Sequence, residues 1–193
     1  MCRVWYGYVM NTYIFLRHAK TKKDPLKHAT QWELEEDALE VLNTHIQDDV
    51  FKDVDMVITS TEPKAIATAK PIAKHSGLEI TSQDSFNEIK REEDFLTDKE
   101  FLIQKQTQLE SLDTAVGGPE SGRKALQRFE HGLQLLEEMH TDKTMVIVSH
   151  GTVLSLYFAS LLGTLGTVFE RWGQLKFCAF GVVKGKKVIR DIM

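Results

Sequence analysis

The stretch Tyr13-Ile14-Phe15-Leu16, followed by Arg17-His18, decides how this chain folds. Four bulky or β-favouring apolar residues in a row predict a strand that is buried on both faces. The two basic residues stand where that strand ends. In open α/β sheets, ligands bind just beyond the carboxyl ends of the strands. The stretch therefore predicts a central strand with a basic site at its end.

A second stretch repeats this arrangement late in the chain. The apolar run Met145-Val146-Ile147-Val148 leads directly into Ser149-His150-Gly151. If the two strands share one sheet edge, Arg17, His18 and His150 meet there. Arginine and histidine together suit an anionic ligand, and a histidine can also act as a nucleophile or a proton carrier.

The rest of the chain alternates between strand and helix patterns. Further strands are predicted at residues 55–59, 78–81 and 144–148, and helices at residues 31–45, 63–75, 99–112, 120–139 and 152–162. Thr30 is expected to cap the first helix, with Glu33 completing a capping box. Residues 177–183 and 187–192 predict a terminal hairpin. This order indicates a three-layer α/β/α sandwich with a mostly parallel sheet and an antiparallel edge.

Length and composition indicate an ordinary globular domain. The chain has 193 residues, of which 42% are hydrophobic and 27% charged, as in typical soluble domains. We expect a single domain over residues 13–193, preceded by an extension of residues 1–12 that lacks the apolar core of a secretory signal. The apolar stretch 152–169 is interrupted by Ser, Thr and Gly, which favours a buried helix over a membrane span.

Charge and cysteine content narrow the function classes. The net charge of −4 leaves no basic footprint of the kind that nucleic-acid binding requires. Cys2 and Cys178 form no disulfide framework and show no metal-ligand spacing, so a reducing cytoplasm is the expected compartment. Cysteine-dependent phosphatases carry their cysteine in a phosphate loop with an arginine a short step downstream. Neither cysteine of this chain has that context, which argues against such an enzyme.

These motifs resemble those of the histidine phosphatase superfamily, which has the phosphoglycerate-mutase-like fold. Its members open with a strand that ends in Arg-His-Gly, and residues 16–21 match this pattern with Ala19 in place of the glycine. Residues 148–152 match the late Ser-His-Gly turn. Residues 59–69 match the second phosphate-binding segment of the family, except that Lys64 stands where an arginine is usual.

The resemblance implies roles for the three residues at the two strand ends. His18 would attack phosphorus and form a phosphohistidine, provided that one ring nitrogen is held by the nearby backbone so that the other is free. Arg17 would bind two phosphate oxygens with its planar guanidinium. His150, when protonated, would bind a further oxygen and stabilise the charge during transfer.

Three more residues complete the site that the resemblance implies. Lys64 and Thr21 would bind phosphate, although a lysine lacks the bidentate fork of an arginine. Glu88 stands where the family keeps its acidic proton donor. A carboxyl shielded from water is expected to have a raised pKa, so that it protonates the leaving oxygen and then activates water.

The resemblance therefore predicts a histidine acid phosphatase-type enzyme that hydrolyses phosphate monoesters without a metal or other cofactor. Its substrate would be a small phosphorylated metabolite or a phosphoprotein, with no nucleic-acid or membrane partner. The modest segment 90–118 leaves little room for the insertions of mutases, which favours hydrolysis. Two alternatives stay open. One is a protein phosphohistidine phosphatase with an open cleft, since small members of the family with abbreviated lids act in that way. The other is a non-catalytic phosphate-binding regulatory module, since Ala19 and Lys64 depart from the usual pattern.

Overall fold

A computed structural model describes residues 10–92 and 96–193 and shows one six-stranded sheet. The strands are β1 (Thr12–Arg17), β2 (Met56–Thr59), β3 (Ile80–Ser82), β4 (Thr144–Ser149), β5 (Phe180–Lys184) and β6 (Lys187–Arg190). Their order across the sheet is β3-β2-β4-β1-β5-β6. The first four are mutually parallel where they pair, whereas β5 and β6 run antiparallel. The predicted mixed sheet with an antiparallel edge is confirmed.

The central strands are buried on both faces, as their unbroken apolar runs predict. Ile14 and Leu16 pack into one core, and Phe15 and Ile147 pack into the other. Helices cover both faces, which gives the three-layer sandwich. They are α1 (Glu40–His45), α2 (Pro63–Ser76), α3 (Asp98–Glu110), α4 (Gly122–Met139), α5 (Gly151–Leu162) and α6 (Val168–Gln174).

Local signals explain where several helices begin and end. Pro63 opens α2, where its missing N–H costs nothing, and Gly77 ends it with a φ of 67°, as expected of a left-handed cap. Thr97 and Glu100 form a capping box at the start of α3. The apolar helix α5 is 12 residues long. No helix in the two described ranges has the length and apolarity that a membrane crossing requires.

The predicted helix over residues 31–45 is wrong for most of its length. The chain forms a short 3-10 helix, Ala29–Gln31, and only Glu40–His45 is α-helical. Thr30 lies inside the 3-10 turn, which His28 caps instead. The helical periodicity is overridden by tertiary pairing, because the backbone of residues 33–35 hydrogen-bonds to that of residues 20–22.

The predicted extension, residues 1–12, lies mainly outside the described residues, which begin at Met10. Asn11 is buried and donates from Nδ2 to the carbonyl oxygen of His140 at 2.8 Å. Its Oδ1 accepts from the Lys143 N–H at 2.9 Å. These bonds attach the chain directly before β1 to the loop before β4.

The register of the two central strands brings the two motifs together. β1 pairs with β4 from Thr12 opposite Thr144 to Arg17 opposite Ser149. The His18 N–H then donates to the Ser149 carbonyl oxygen at 2.9 Å. Both histidine motifs therefore start at the same level of the sheet, on neighbouring strands.

Candidate active site

His18 is held in one tautomer by the backbone. Its Nδ1 lies 2.7 Å from the carbonyl oxygen of Ala19. A carbonyl oxygen only accepts, so Nδ1 carries the proton and the neutral ring keeps a lone pair on Nε2. Burial, together with the neighbouring His150 ring and the Lys64 ammonium, lowers the pKa of His18 well below its usual value. The ring is therefore neutral at physiological pH, as a nucleophile requires.

The backbone at Ala19 shows why an alanine replaces the usual glycine without strain. Among the described residues, a positive φ outside glycine occurs only at Asp142 and Cys178. Ala19 is fully buried, and its N–H donates to Oγ1 of Thr68 on α2 at 2.9 Å. The carbonyl that orients His18 belongs to the main chain and does not depend on the side chain at this position.

The guanidinium of Arg17 lies between an aromatic ring and a glycine. Its Cζ is 4.0 Å from the centroid of Phe177, and a Cβ added to Gly151 would come within 3.2 Å of Arg17 Nε. Nη1 donates to the carbonyl oxygen of Leu175. Nε is buried and has no hydrogen-bond partner within residues 10–92 and 96–193. Burial lowers the pKa of Arg17 to about 10, so the group stays cationic and retains donors for an anion.

His150 is fully buried directly after β4. Its ring centroid lies 5.1 Å from that of His18. Nε2 is 2.7 Å from Ser60 Oγ and 3.5 Å from Glu62 Oε1, whereas Nδ1 has no partner in the described part of the chain. Burial and the Lys64 ammonium lower the pKa of His150 to about 3. Without a bound anion, this ring is therefore neutral.

Lys64 lies on the first turn of α2 and is buried. Its Nζ donates to the Ala29 carbonyl oxygen at 2.7 Å and lies 2.6 Å from Glu62 Oε2. The second contact is an ion pair without good hydrogen-bond alignment, and Oε2 accepts no hydrogen bond from the described residues. The lysine that replaces the usual arginine therefore already has a buried counter-ion.

Glu88 follows the 3-10 helix Asp84–Phe86 and is anchored through both oxygens. Oε1 accepts from the Ile89 N–H at 2.9 Å, and Oε2 accepts from the Thr152 N–H at 3.0 Å. Burial raises the pKa of this carboxyl, but Lys105, His150 and the two N–H donors outweigh it and bring the pKa to about 2. The expectation of a raised pKa is wrong, because the Lys105 ammonium and the two N–H donors stabilise the carboxylate.

These side chains line a cleft of about 540 Å³. Cations and aromatic rings dominate its wall. The lining residues are Arg17, His18, Lys20, Thr21, Lys22, Lys23, Ala29, Trp32, Glu35, Lys64, Glu88, Arg91, Phe101, Lys105, His150, Gly151, Thr152, Trp172 and Phe177. All six predicted site residues are therefore brought together, and Thr21 lies at the edge where its backbone pairs with Leu34.

Two residues that sequence reasoning missed belong to this arrangement. Lys105 on α3 is buried, and its Nζ donates to Gln108 Oε1 at 2.7 Å and to Thr152 Oγ1 at 3.0 Å. Burial lowers the pKa of Lys105 to about 8. Glu62 touches Lys64 and His150 from behind the cleft wall. A glutamate directly before the helix-opening Pro63 was a signal available in the sequence, whereas Lys105 is spaced like any solvated helix lysine.

The acidic and metal-ligating side chains do not form a metal site in the part of the chain that the structure describes. There, no group of three or more His, Cys, Asp or Glu side chains is placed to hold a metal ion. Cys178 is buried and unpaired within the same residues.

Comparisons with known proteins bear on this site. Residues 13–187 match the family model described as the histidine phosphatase superfamily, branch 1. No curated protein matches the sequence.

Solved structures match along nearly the whole chain. YhfR of Bacillus stearothermophilus is 18% identical with a TM-score of 0.73, over 94% of this chain and 96% of that one. Entamoeba histolytica phosphoserine phosphatase in complex with 3-phosphoglyceric acid is 21% identical with a TM-score of 0.73, over 95% and 98%. Mycobacterial glucosyl-3-phosphoglycerate phosphatase in complex with VO3 is 17% identical with a TM-score of 0.74, over 89% and 90%. At these identities the matches establish a shared fold.

Proposed function

The chain belongs to branch 1 of the histidine phosphatase superfamily, and we propose that it hydrolyses phosphate monoesters through a phosphohistidine on His18. One observation carries this proposal. The Ala19 carbonyl holds the proton of His18 on Nδ1, so the lone pair of Nε2 is available beside the Arg17 guanidinium and the second histidine. That is the arrangement that in-line attack on phosphorus needs.

In the first step, the bond from Nε2 to phosphorus forms while the ester P–O bond breaks. Arg17 and Lys64 balance the charge on the phosphoryl oxygens. His150 supports them by donating from a ring nitrogen. Because these protein cations neutralise the phosphoryl group, the mechanism calls for no metal or other cofactor.

The leaving oxygen needs a proton, and Glu88 is the group that we propose delivers it. The carboxylate is ionised in the free protein, with a pKa of about 2. A phosphate anion beside it raises that pKa, since like charges disfavour the charged form. An ester that binds as its monoanion brings the proton with it, and Glu88 passes this proton to the leaving oxygen. In the second step Glu88 takes a proton from water, whose oxygen attacks phosphorus while the P–Nε2 bond breaks, so that inorganic phosphate leaves and His18 is neutral again.

The proton balance favours acidic conditions, because phosphate monoesters are monoanionic below a second pKa of about 6. We therefore propose an acid phosphatase type of activity. A cleft of about 540 Å³ with aromatic walls suits a small phosphorylated metabolite. Two of the structurally similar proteins are named as phosphatases of phosphoserine and of glucosyl-3-phosphoglycerate, which agrees with a substrate of this size.

The test is hydrolysis of p-nitrophenyl phosphate between pH 4 and 8 in the presence of EDTA. We expect His18→Ala to lower kcat by at least about 1,000-fold, as loss of a nucleophile does, and to abolish an acid-labile phosphoenzyme in quenched reactions. His75→Ala removes an exposed histidine of α2 and is the matched control. Turnover near wild type in His18→Ala, or loss with EDTA that added metal restores, would contradict the proposal.

The alternative of a binding module is kept open by one contact, the Glu62 carboxylate 2.6 Å from Lys64 Nζ, which partly neutralises a cation of the site. Vanadate binding without turnover of any small phosphate ester or phosphopeptide would favour that alternative. Turnover of a phosphohistidine peptide in preference to small esters would favour a protein phosphohistidine phosphatase.

A further inference from the structure

Glu62 is a buried carboxylate that lies behind the cleft without lining it. The residue is 4% exposed, and it is absent from the lining residues. It directly precedes Pro63 at the start of α2, yet it makes no side-chain capping bond to that helix. The local helix therefore does not account for a buried charge here, and an unpaired buried charge is costly.

The two oxygens of Glu62 contact three residues that do line the cleft. Oε2 lies 2.6 Å from Lys64 Nζ. Oε1 accepts from the backbone N–H of Glu88 at 2.9 Å and lies 3.5 Å from His150 Nε2. These partners come from α2, from the loop after β3 and from the end of β4. One carboxylate thus connects three separate segments of the cleft wall.

The lysine at position 64 explains why such a connection is needed. An arginine presents a rigid fork, whereas a lysine ammonium is a point charge on a flexible stem. Here the ammonium is fixed between the Ala29 carbonyl oxygen and the Glu62 carboxylate. We propose that Glu62 is a positioning residue, which holds Lys64 and the Glu88 loop in place for phosphate and so compensates for the absence of an arginine. This inference rests on the proposed function of the same site.

The Glu62→Gln variant separates this role from a general electrostatic one. The amide keeps the shape and an oxygen acceptor for the Glu88 N–H but removes the charge that fixes Lys64. If Glu62 merely adds negative charge near the cleft, its neutralisation strengthens the binding of inorganic phosphate. If Glu62 positions Lys64, the same change weakens it. We expect phosphate Kd to rise and kcat/KM for p-nitrophenyl phosphate to fall, each about tenfold, as for loss of one orienting charged contact.

A double-mutant cycle with Lys64→Met tests whether Glu62 acts through the lysine. We expect Glu62→Gln to change kcat/KM by less than about threefold once Lys64 is absent, because coupled residues are not additive. The cycle also controls for instability of the single variants, each of which leaves one buried charge unpaired. The double variant contains no unpaired buried charge at this pair. Tighter phosphate binding in Glu62→Gln, or additive effects in the cycle, would overturn the inference.

The matched control is Asp55→Asn at the opposite end of the sheet. Asp55 also pairs with a lysine, at 2.9 Å from Lys143 Nζ, and accepts a backbone N–H, from Thr144 at 2.8 Å. The Asp55→Asn variant should leave kcat/KM unchanged even where it lowers Tm. Phosphate Kd is measured by calorimetry on the whole chain and needs no turnover. An inactive wild type would therefore count against the proposed function alone, whereas a wild-type phosphate Kd in Glu62→Gln would count against the positioning role alone.

Discussion

The imidazole rings of His18 and His150 lie with their centroids 5.1 Å apart, although they come from opposite halves of the chain. Each ring follows the last residue of its strand, and the parallel pairing of β1 with β4 puts Arg17 opposite Ser149. Both rings are buried. Two basic groups that close together and that far from water favour the neutral form of each other. This proximity has consequences for stability and for activity.

Stability should fall as the pH falls below neutrality. In the unfolded chain a histidine protonates near 6.5, whereas the pKa of folded His150 is about 3 and that of His18 is also well below 6.5. Between these values the unfolded chain binds more protons, so the free energy of unfolding decreases as protons are added, by at most about 1.4 kcal/mol per pH unit for each histidine. Tm measured from pH 7 to pH 5 should decrease.

Two histidine variants test this prediction through the slope of Tm against pH. His150→Asn should flatten the slope, while His75→Ala, which removes an exposed histidine, should retain it. A Tm that rises between pH 7 and pH 5 would show that the buried histidines are protonated in the folded state.

Gly151→Ala should impair phosphate binding by displacing the guanidinium. The added Cβ would lie 3.2 Å from Nε and Cζ of Arg17, a group already held between Phe177 and the Leu175 carbonyl. The guanidinium must then move by a few tenths of an ångström, and because a misplacement of about 1 Å costs about 100-fold, kcat/KM should fall about 3- to 10-fold. Steady-state kinetics with p-nitrophenyl phosphate measure this.

The control is Gly173→Ala in α6, where no atom lies within 4 Å of the added Cβ. This variant should keep its activity and gain up to about 1 kcal/mol from better helix propensity. Equal activity of the two alanine variants would mean that Arg17 tolerates displacement.

Lys105→Met should move the acidic limb of the pH–rate profile upward. Lys105 is the largest of the influences that lower the pKa of Glu88, which is brought to about 2. Without this cation the carboxyl protonates more readily, so the limb that belongs to Glu88 should rise by about one to three pH units. The profile of kcat/KM with the same ester for both proteins measures the shift, since the ionisation of the substrate then cancels.

Lys99→Met removes an exposed lysine from the same helix and should leave the profile unchanged. If Lys105→Met lowers the rate equally at every pH, the lysine contributes binding and does not set the ionisation of Glu88.

Ala19→Gly should change the activity little, although it restores the residue that is usual in the family. Ala19 does not have a positive φ, and its contribution to His18 is made by a main-chain carbonyl. We expect kcat/KM within about threefold of wild type and a loss of about 1 kcal/mol from the added flexibility, which lowers Tm by about 2–4 °C. A tenfold gain in kcat/KM would identify the alanine as a functional departure.

Sequence patterns predicted the sheet well because burial on both faces leaves a strong signal. Ile14 and Phe15 face different cores, so neither can be polar, and the first polar residue marks the end of the strand. The positions of Arg17, His18 and His150 follow from that, since the carboxyl ends of parallel neighbours coincide.

The prediction failed where a long-range backbone contact replaces a local one. Residues 31–39 have helical spacing, yet the Glu35 N–H donates to the Lys20 carbonyl oxygen at 3.0 Å and Trp32 donates from its indole to Asp24 at 3.0 Å. These partners lie on a segment close to the cleft. Periodicity within 15 residues contains no information about such pairing.

Charged residues inside the fold were the other omission. Lys105 shares the buried face of α3 with Gln108 and Leu109. The buried face of this helix is therefore partly polar, whereas burial is predicted from sequence by an apolar face. Glu62 is likewise buried by tertiary contacts, which it makes with Lys64 and with the backbone of Glu88. Their roles depend on tertiary partners and have no periodic signature.

The antiparallel edge of the sheet determines when the site can first exist during synthesis. Leu175 and Phe177, which hold the Arg17 guanidinium, lie just ahead of β5, the strand that pairs with β1. The ribosome therefore releases Arg17 and His18 long before it has made the residues that fix them. A nascent chain cannot complete the anion pocket until residues 175–184 have left the exit tunnel, so this pocket is a late product of translation.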